Sequence, residues 1–254
     1  MTEPTRWPAE AIWEQVWPLL PGFTVEVLPE VDSTNTELMR RARAGRLEPV
    51  LLVAEAQTAG RGRLGRAWHS GAPGDVLTFS LGLPLRMADW SGLSLAVGVS
   101  VAQSLHPDLK LKWPNDVWWQ DRKLAGILIE TTQVGDERYA VIGVGINIAP
   151  RDAAGLNTPP AWLQELEPGT DAPAALLRVA PALVQAVQRF ESQGWAPFLP
   201  AYAARDALAG REVQLSDGSH GQARGVDAQG ALLVHTSSGL KKISSAEVSV
   251  RPTY

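Results

Sequence analysis

A basic, glycine-rich loop set between two strand-like segments constrains this chain more than any other stretch. Residues 50–54 are an apolar run and 76–83 alternate like a strand, with Gly60-Arg61-Gly62-Arg63-Leu64-Gly65 between them. The hexapeptide formally matches G-x-G-x-x-G. A dinucleotide fold needs a helix to open at such a loop, so that its N-terminus meets the pyrophosphate. Residues 67–75, with Trp68, His69, Gly71, Pro73 and Gly74, cannot supply that helix. A protein-kinase fold needs V-A-I-K, H-R-D and D-F-G, and the chain has none of them. What remains is a loop whose glycines bare backbone N–H groups, while Arg61, Arg63 and Arg66 add planar donors that keep their charge. That combination suits a phosphate or a carboxylate. The bland alternatives are a solvated surface loop or an Arg-Gly RNA segment, although RNA-binding runs of that kind repeat and this one does not.

Around the loop the elements alternate in type. The first 30 residues, rich in Pro and Trp, are too short for a domain of their own. Residues 31–45 read as a helix, with capping-box spacing between Thr34 and Glu37, arginines in the last turn and Gly45 as the stop. Ser91 caps a second helix to Leu105. Strands are expected at 109–113, 117–119, 124–130 and 139–148, as antiparallel neighbours. Residues 149–171 read as loop, and 174–190 as a helix that Pro181 should bend or interrupt. Another helical stretch covers 195–206. From Gly210 onward, Asp217-Gly218, Gln229-Gly230 and Ser238-Gly239 punctuate short strands, the pattern of a small β-barrel.

Composition removes whole classes of chemistry. With no cysteine there is no disulfide, thiolate nucleophile or Cys-ligated metal, and a reducing, cytoplasmic setting is expected. There is no G-x-S-x-G or H-E-x-x-H, and the four histidines are scattered. Gly225 to Gly230 has the P-loop glycine spacing, but Ala231-Leu232 follows where Lys and Ser/Thr are needed. A formal charge of −4 argues against a general nucleic-acid binder. The longest strongly apolar stretch, 93–102, is about half the ~20 residues of a bilayer span, so no membrane partner is expected. Four further patterns read two ways. Ser33-Thr34-Asn35 is a helix cap or a ring of polar groups around a neutral ligand, with Gln57 as one more amide. Lys112-Trp113-Pro114-Asn115-Asp116 is a turn, or a strand exit presenting a carboxylate for a metal, a ribose or proton transfer. Lys123, leading an apolar strand with Gly126 three positions on, is an edge charge or a cation aimed into a pocket. Gly143 and Gly145, before Asn147, weaken a strand unless something must come close.

Taken together, Ser33 to Asn35, residues 54–68, Lys112 to Asp116, residues 122–130 and Gly143 to Asn147 resemble the biotin protein ligases. Residues 225–232 resemble, more weakly, that family's C-terminal SH3-like barrel. The resemblance implies an α+β fold: a mixed, largely antiparallel sheet flanked by helices, like class II synthetases and biotin/lipoate ligases, with a small C-terminal SH3-like β-barrel. It divides the chain into a catalytic domain, 1–208, and the barrel, 209–254. No helix-turn-helix module precedes the first motif, so the ligase-only group without a DNA-binding domain is implied. The implied reaction activates biotin with MgATP to biotinyl-5′-adenylate, then transfers the biotinyl group to a lysine of a biotin carboxyl carrier domain of a biotin-dependent carboxylase.

On that resemblance, Lys123, Arg63 and Asp116 are the catalytic candidates. The biotin set is Ser33, Thr34, Asn35, Gln57, Gly60, Arg61, Gly62, Arg63, Lys123 and Gly126. The ATP set is Arg61, Arg66, Trp68, Asn115, Lys123 and Asn147, and Trp113 is a further apolar surface for the tail or the adenine. Asp116 is the expected Mg²⁺ ligand, or the proton acceptor for the incoming lysine. Leu64 stands where some members carry another arginine. A lipoate-type acyl-adenylating ligase is the nearest alternative, disfavoured by the polar Ser-Thr-Asn trio. Cysteine-dependent octanoyl transferases are excluded, and a non-enzymatic RNA- or ligand-binding protein is the remaining rival. A strand edge is expected to serve the acceptor or a second copy of the chain in a homodimer.

Overall fold

The computed structural model describes residues 5–151, 158–216, 218–244 and 250–252. Strands β1 (Thr24–Val31), β2 (Val50–Gln57), β3 (Val76–Pro84), β4 (Lys110–Lys112), β5 (Asp116–Trp119), β6 (Arg122–Val134) and β7 (Glu137–Asn147) form one sheet. Their order is β1-β2-β3-β7-β6-β5-β4, and only the β1–β2 pair is parallel. The expected mixed, largely antiparallel sheet is therefore present, and the four strands predicted as neighbours are neighbours. β6 and β7 run longer than their apolar segments because a two-residue turn at Gly135-Asp136 closes them as a hairpin.

Period-2 alternation sorts the side chains onto two faces. Leu51, Val53, Leu77, Phe79, Leu81, Ile142, Val144 and Ile146 belong to the main core. Helices α1 (Ala9–Val16), α3 (Leu93–Leu105) and α4 (Ala172–Gln193) pack around that core. Val50, Leu52, Tyr139 and Val141 point the other way and meet Leu38, Met39 and Ala42 of helix α2 (Thr34–Arg43). Helix α5 (Leu199–Ala203) follows a 3-10 turn at Ala196–Phe198, within the predicted helical stretch. The N-terminal segment is part of this architecture, since β1 heads the sheet and α1 rests on α4 and β1.

Three local expectations are corrected. Ser33, not Thr34, caps α2 by accepting from Thr36 N, which leaves Thr34 buried. Gly92, at a φ of 85°, precedes α3 in place of Ser91; a Cβ there would press on the Trp195 ring. α4 runs unbroken through Pro181. Its face of Leu176, Val179, Ala180, Leu183 and Val187 is buried in the main core beside α3, and this packing outweighs the one lost N–H bond. Among the described residues no helix is long and apolar enough to cross a membrane.

Strands β8 (Glu212–Leu215), β9 (His220–Val226), β10 (Leu232–Thr236), β11 (Gly239–Ile243) and β12 (Val250–Pro252) make a second, antiparallel sheet in the order β11-β10-β9-β8-β12. Gly230 and Gly239 supply positive φ at two of the predicted turns; Asp217 of the third lies outside the described residues. Val213, Ala223, Leu232 and Val234 are buried and join the main core cluster. The Gln229-Gly230 turn is the docking point. Trp113 Nε1 donates to Gly230 O at 3.1 Å, Trp195 Nε1 donates to Asp227 O at 3.3 Å, and Gly230 lies against Gly92. Trp113 is fully buried in this contact, so it offers no surface to a ligand as the sequence reading had allowed.

Trp113→Phe keeps most of the packing but strands the Gly230 carbonyl. We predict a loss of about 1–2 kcal/mol in urea denaturation, read as a lower midpoint at unchanged slope.

Candidate active site

The cavity forms beyond the N-terminus of α2, where the sheet face changes from aliphatic to small and polar. The same face carries Thr78 and Ser80 of β3, Gly126, Leu128 and Glu130 of β6, and Gly143, Gly145 and Asn147 of β7. Gly126 pairs directly with Gly145. These glycines make a floor. A Cβ on Gly143 would sit 2.2 Å from Asn35 Oδ1, and one on Gly145 would sit 2.3 Å from the Trp68 ring. Either approach is impossible for an ordinary side chain, which explains glycine in the middle of two strands.

Parallel pairing of β1 with β2 places Val31 opposite Gln57, so the residues after β1 meet the end of β2. Gln57 Oε1 accepts from Thr34 N at 2.8 Å and from Thr34 Oγ1 at 3.2 Å, satisfying an orphan donor of the helix start. Asn35 is 3% exposed, and its Nδ2 donates to Leu128 O and Glu130 Oε2. The Ser80 hydroxyl lies 2.7 Å from both Thr34 Oγ1 and Asn35 Oδ1. At this end of the cavity the groups left to face a ligand are hydroxyls, the Gln57 NH₂ and one lone pair of Asn35 Oδ1.

Lys123 reaches the site through a bulge. β5 pairs Asp116 with Gly126 and Val117 with Ala125, then Trp118 with Lys123, so Leu124 is skipped. Without that extra residue Lys123 and Gly126, three apart, would point to opposite faces. With it they share one, and Lys123 Nζ lies 2.7 Å from Asp116 Oδ1. The lysine backbone is pinned as well: Lys123 N donates to Pro159 O, and Lys123 O accepts from Ala161 N and from Asn147 Nδ2. Arg122, the neighbour, stacks on Trp119 and Trp162 and pairs with Glu165 through both terminal nitrogens, anchoring that stretch.

The glycine loop folds back over the floor. Gly62 N donates to Arg66 O at 2.7 Å and Trp68 N donates to Gly60 O at 2.9 Å. One of the expected ligand-facing N–H groups, that of Gly62, thus closes the loop itself. A Cβ on Gly60 would lie 2.2 Å from Trp68 O, so this glycine also serves closure. Leu64 sits at the loop tip with a φ of 56°, largely exposed. Arg63 is drawn inward, with Nη1 3.5 Å from Asn115 Oδ1. Burial holds its guanidinium below the ordinary arginine value, Asp116 opposes this and Arg66 reinforces it. From so high a start the group stays charged at neutral pH. The ring of Trp68 has Lys123 Nζ at 5.6 Å and Arg151 at 5.8 Å, and its buried Nε1 has no hydrogen-bond partner among the described residues.

All these elements border one cavity of about 410 Å³. Every candidate residue from the sequence lines it except Trp113, which is buried against the second sheet, and Gly60, which borders a smaller recess behind the loop. Two of the expected ATP contacts are occupied within the protein. Asn147 gives both amide hydrogens to Lys123 O and Ala161 O and accepts from Arg151 Nη1 at 2.8 Å, while Asn115 Nδ2 is held by Ile127 O. Both therefore position the cations that contact them. Arg61 is likewise engaged, with Glu130 and Thr36. Sequence reasoning missed Ser80, Thr78, Glu130 and Arg151; only Glu130 lay inside a quoted motif. Among the described residues there is no cluster of three or more Asp, Glu or His that could cage a metal ion, so Asp116 stands as a single carboxylate.

Comparison with known proteins agrees with this geometry. Residues 27–147 match the Biotin/lipoate A/B protein ligase family, and 209–251 match the Biotin protein ligase C terminal domain. The bifunctional ligase/repressor BirA of Escherichia coli is 38% identical over 250 residues, 94% of this chain and 77% of that protein. The chain belongs to the biotin protein ligase family. The biotin–[acetyl-CoA-carboxylase] ligase of Mycobacterium tuberculosis is 34% identical, with 88% of each chain covered. Among solved structures, the biotin protein ligase from Aquifex aeolicus in complex with biotin and ATP superposes with a TM-score of 0.76 at 31% identity, covering 90% of this chain and 99% of that one.

The floor of this ligase is open to a direct test. Gly145→Ala must displace the Trp68 ring, and we predict a shifted tryptophan emission together with at least about a tenfold loss of biotin affinity by titration calorimetry, from misplaced packing of about 1.4 kcal/mol or more.

Proposed function

We propose that this chain activates biotin with MgATP to biotinyl-5′-adenylate and passes the biotinyl group to a lysine of a biotin carboxyl carrier domain. The observation that carries the proposal is the convergence of Lys123, from the bulged strand, with Arg63 and Arg66 of the glycine loop on one cavity whose far end is polar and uncharged. Joining a carboxylate to the α-phosphate of ATP brings two anions together, and charge grows on the phosphoryl oxygens as pyrophosphate leaves. Fixed cations are what this step needs, and they act most strongly in a site that excludes water.

Each part of the substrate has a counterpart. The ureido carbonyl of biotin accepts from the Ser33 hydroxyl and the Gln57 NH₂, and a ureido N–H donates to the remaining lone pair of Asn35 Oδ1. The aliphatic tail crosses the glycine floor against Trp68, which brings the carboxylate to Lys123 and Arg63. Arg66 and Arg151 face the nucleotide. One carboxylate suits Mg²⁺, which is held largely by substrate phosphates and water, and Asp116 is the residue that would hold it there. The ion supplies charge neutralisation on the phosphates. In the second half-reaction Asp116 takes a proton from the acceptor lysine, whose nitrogen then attacks the acyl carbon and expels AMP. The mixed anhydride is labile in water, and the folded-back loop shields it.

A lipoate-type substrate would leave the Gln57 and Ser33 donors and the Asn35 acceptor facing an apolar ring, so the polar end favours biotin. We place the division of the chain at 208/209, with the second sheet as the C-terminal domain. Absence of cysteine suits the cytoplasm. A formal charge of −4 argues against a general nucleic-acid binder, and the loop arginines line the cavity. The unpaired edge of β1 offers backbone to the acceptor or to a second copy of the chain.

Lys123→Ala should lower biotin-dependent ATP–pyrophosphate exchange about a hundredfold or more, equivalent to ~3 kcal/mol of transition-state stabilisation. Exchange at the wild-type rate in this variant, or full competition of labelled biotin by lipoate, would refute the reading. Arg63→Gly should form adenylate yet release it, read as free biotinyl-adenylate in the filtrate of the enzyme, whereas retention equal to wild type contradicts the shielding role.

A further inference from the structure

Glu130 has no part in the chemistry above, yet its two carboxylate oxygens serve the two ends of the cavity. Oε2 accepts from Asn35 Nδ2 at 3.0 Å, and Oε1 accepts from Arg61 Nη2 at 3.0 Å. Asn35 is held over Gly143 at the ring end, and Arg61 belongs to the glycine loop. The carboxylate is mostly buried, at 22% exposure, while half of Arg61 is in solvent. We propose that Glu130 is a positioning residue that couples occupancy of the ring pocket to closure of the glycine loop.

The coupling follows from the donor count. Both hydrogens of the Asn35 amide are committed, one to Leu128 O and one to Glu130, and Oδ1 already faces Ser80. A ligand group that donates to the remaining lone pair fixes the amide plane, and with it the hydrogen aimed at Glu130. That bond orients the carboxylate, whose other oxygen holds the Arg61 fork. Among the described residues the Arg61 guanidinium has one other hydrogen-bond partner, Thr36 Oγ1 at 3.4 Å, so the ion pair is its main tether to the sheet. A neutral amide at 130 keeps one acceptor oxygen for Asn35 and loses the charge that holds Arg61. The loop half of this inference stands on the geometry alone; the ring half rests on the biotin reading.

The full-length protein and the variants Glu130→Gln, Arg61→Gln and the double variant separate these possibilities. Trypsin cleavage after Arg63 and Arg66 of the ligand-free protein reports how often the loop opens. Each single variant should be cleaved about fivefold faster, the scale of a partly exposed ion pair, and the double variant no faster than either. Saturating biotin alone should slow cleavage of the wild type and slow that of Glu130→Gln at most half as well, although its biotin affinity stays within about threefold, since an acceptor for Asn35 remains. Unchanged cleavage in Glu130→Gln, additive effects in the double variant, or equal protection by biotin would overturn the proposal. A wild type that releases no pyrophosphate with biotin and ATP sinks the ligation reading instead, and the ligand-free comparison still decides the clamp.

Discussion

Three missing side chains govern this structure. Gly126, Gly143 and Gly145 occupy one face of the two central strands, and each costs about 0.5–1 kcal/mol relative to alanine in such a position. The opposite face of the same strands carries Ile127, Ile142, Val144 and Ile146, all buried in the main core. One face therefore holds the hairpin in place while the other is kept empty. Asn35 and Trp68 then approach the backbone more closely than any Cβ would allow, and the space beside them becomes the cavity.

The cations of the cavity are held by the protein's own groups. Lys123 is paired with Asp116, Arg61 with Glu130, Arg63 with Asn115 and Arg151 with Asn147. Such pairing restrains long side chains, so that a bound anion meets donors whose rotamers are already fixed. The partners differ in strength in a useful way. Neutral amides contact Arg63 and Arg151, with Asp116 and Asp75 acting on them as nearby charges. Asp116 pairs directly with Lys123, so the ammonium is shared with substrate oxygens only when they come within its reach. Arginines held by amides and a lysine held by a carboxylate suit a site that must first attract a nucleotide and then stabilise charge at a single bond.

Much of this was legible in the sequence because the ligand-facing residues sit in short runs. Ser33 to Asn35, the glycine loop and Lys112 to Asp116 each place several donors within a few positions, and the alternation of β2, β3 and β7 fixed which face they share. The bulge at Leu124 was not legible, since nothing in an apolar strand marks the residue that will be skipped, yet it decides where Lys123 points. Ser80 and Thr78 were hidden for the opposite reason: a buried hydroxyl in an alternating strand reads as part of the core until the neighbouring strand is known to carry glycines. Pro181 misled because local chemistry was weighed without the packing of α4 on α3. Asn115 and Asn147 lay in the right place, but only the structure shows that both amide hydrogens of Asn147 and one of Asn115 go to backbone carbonyls.

The second sheet joins the catalytic machinery at a telling point. Trp113 donates to Gly230 O, and the same chain segment, three residues on, presents Asp116 to Lys123. Strand β4 ends at Lys112, and the stretch between it and β5 is held to the first sheet at Asn115, whose carbonyl accepts from Ile127 N and whose Nδ2 donates to Ile127 O. The buried indole adds an anchor in the second sheet, and Arg211 adds another by pairing with Asp121 in the turn between β5 and β6. Both turns that aim the lysine and its carboxylate are thus fastened to residues beyond 208. Among the described residues the second sheet contributes no group to the cavity, yet it braces the segments on either side of β5, whose own place is set by its ladders with β4 and β6.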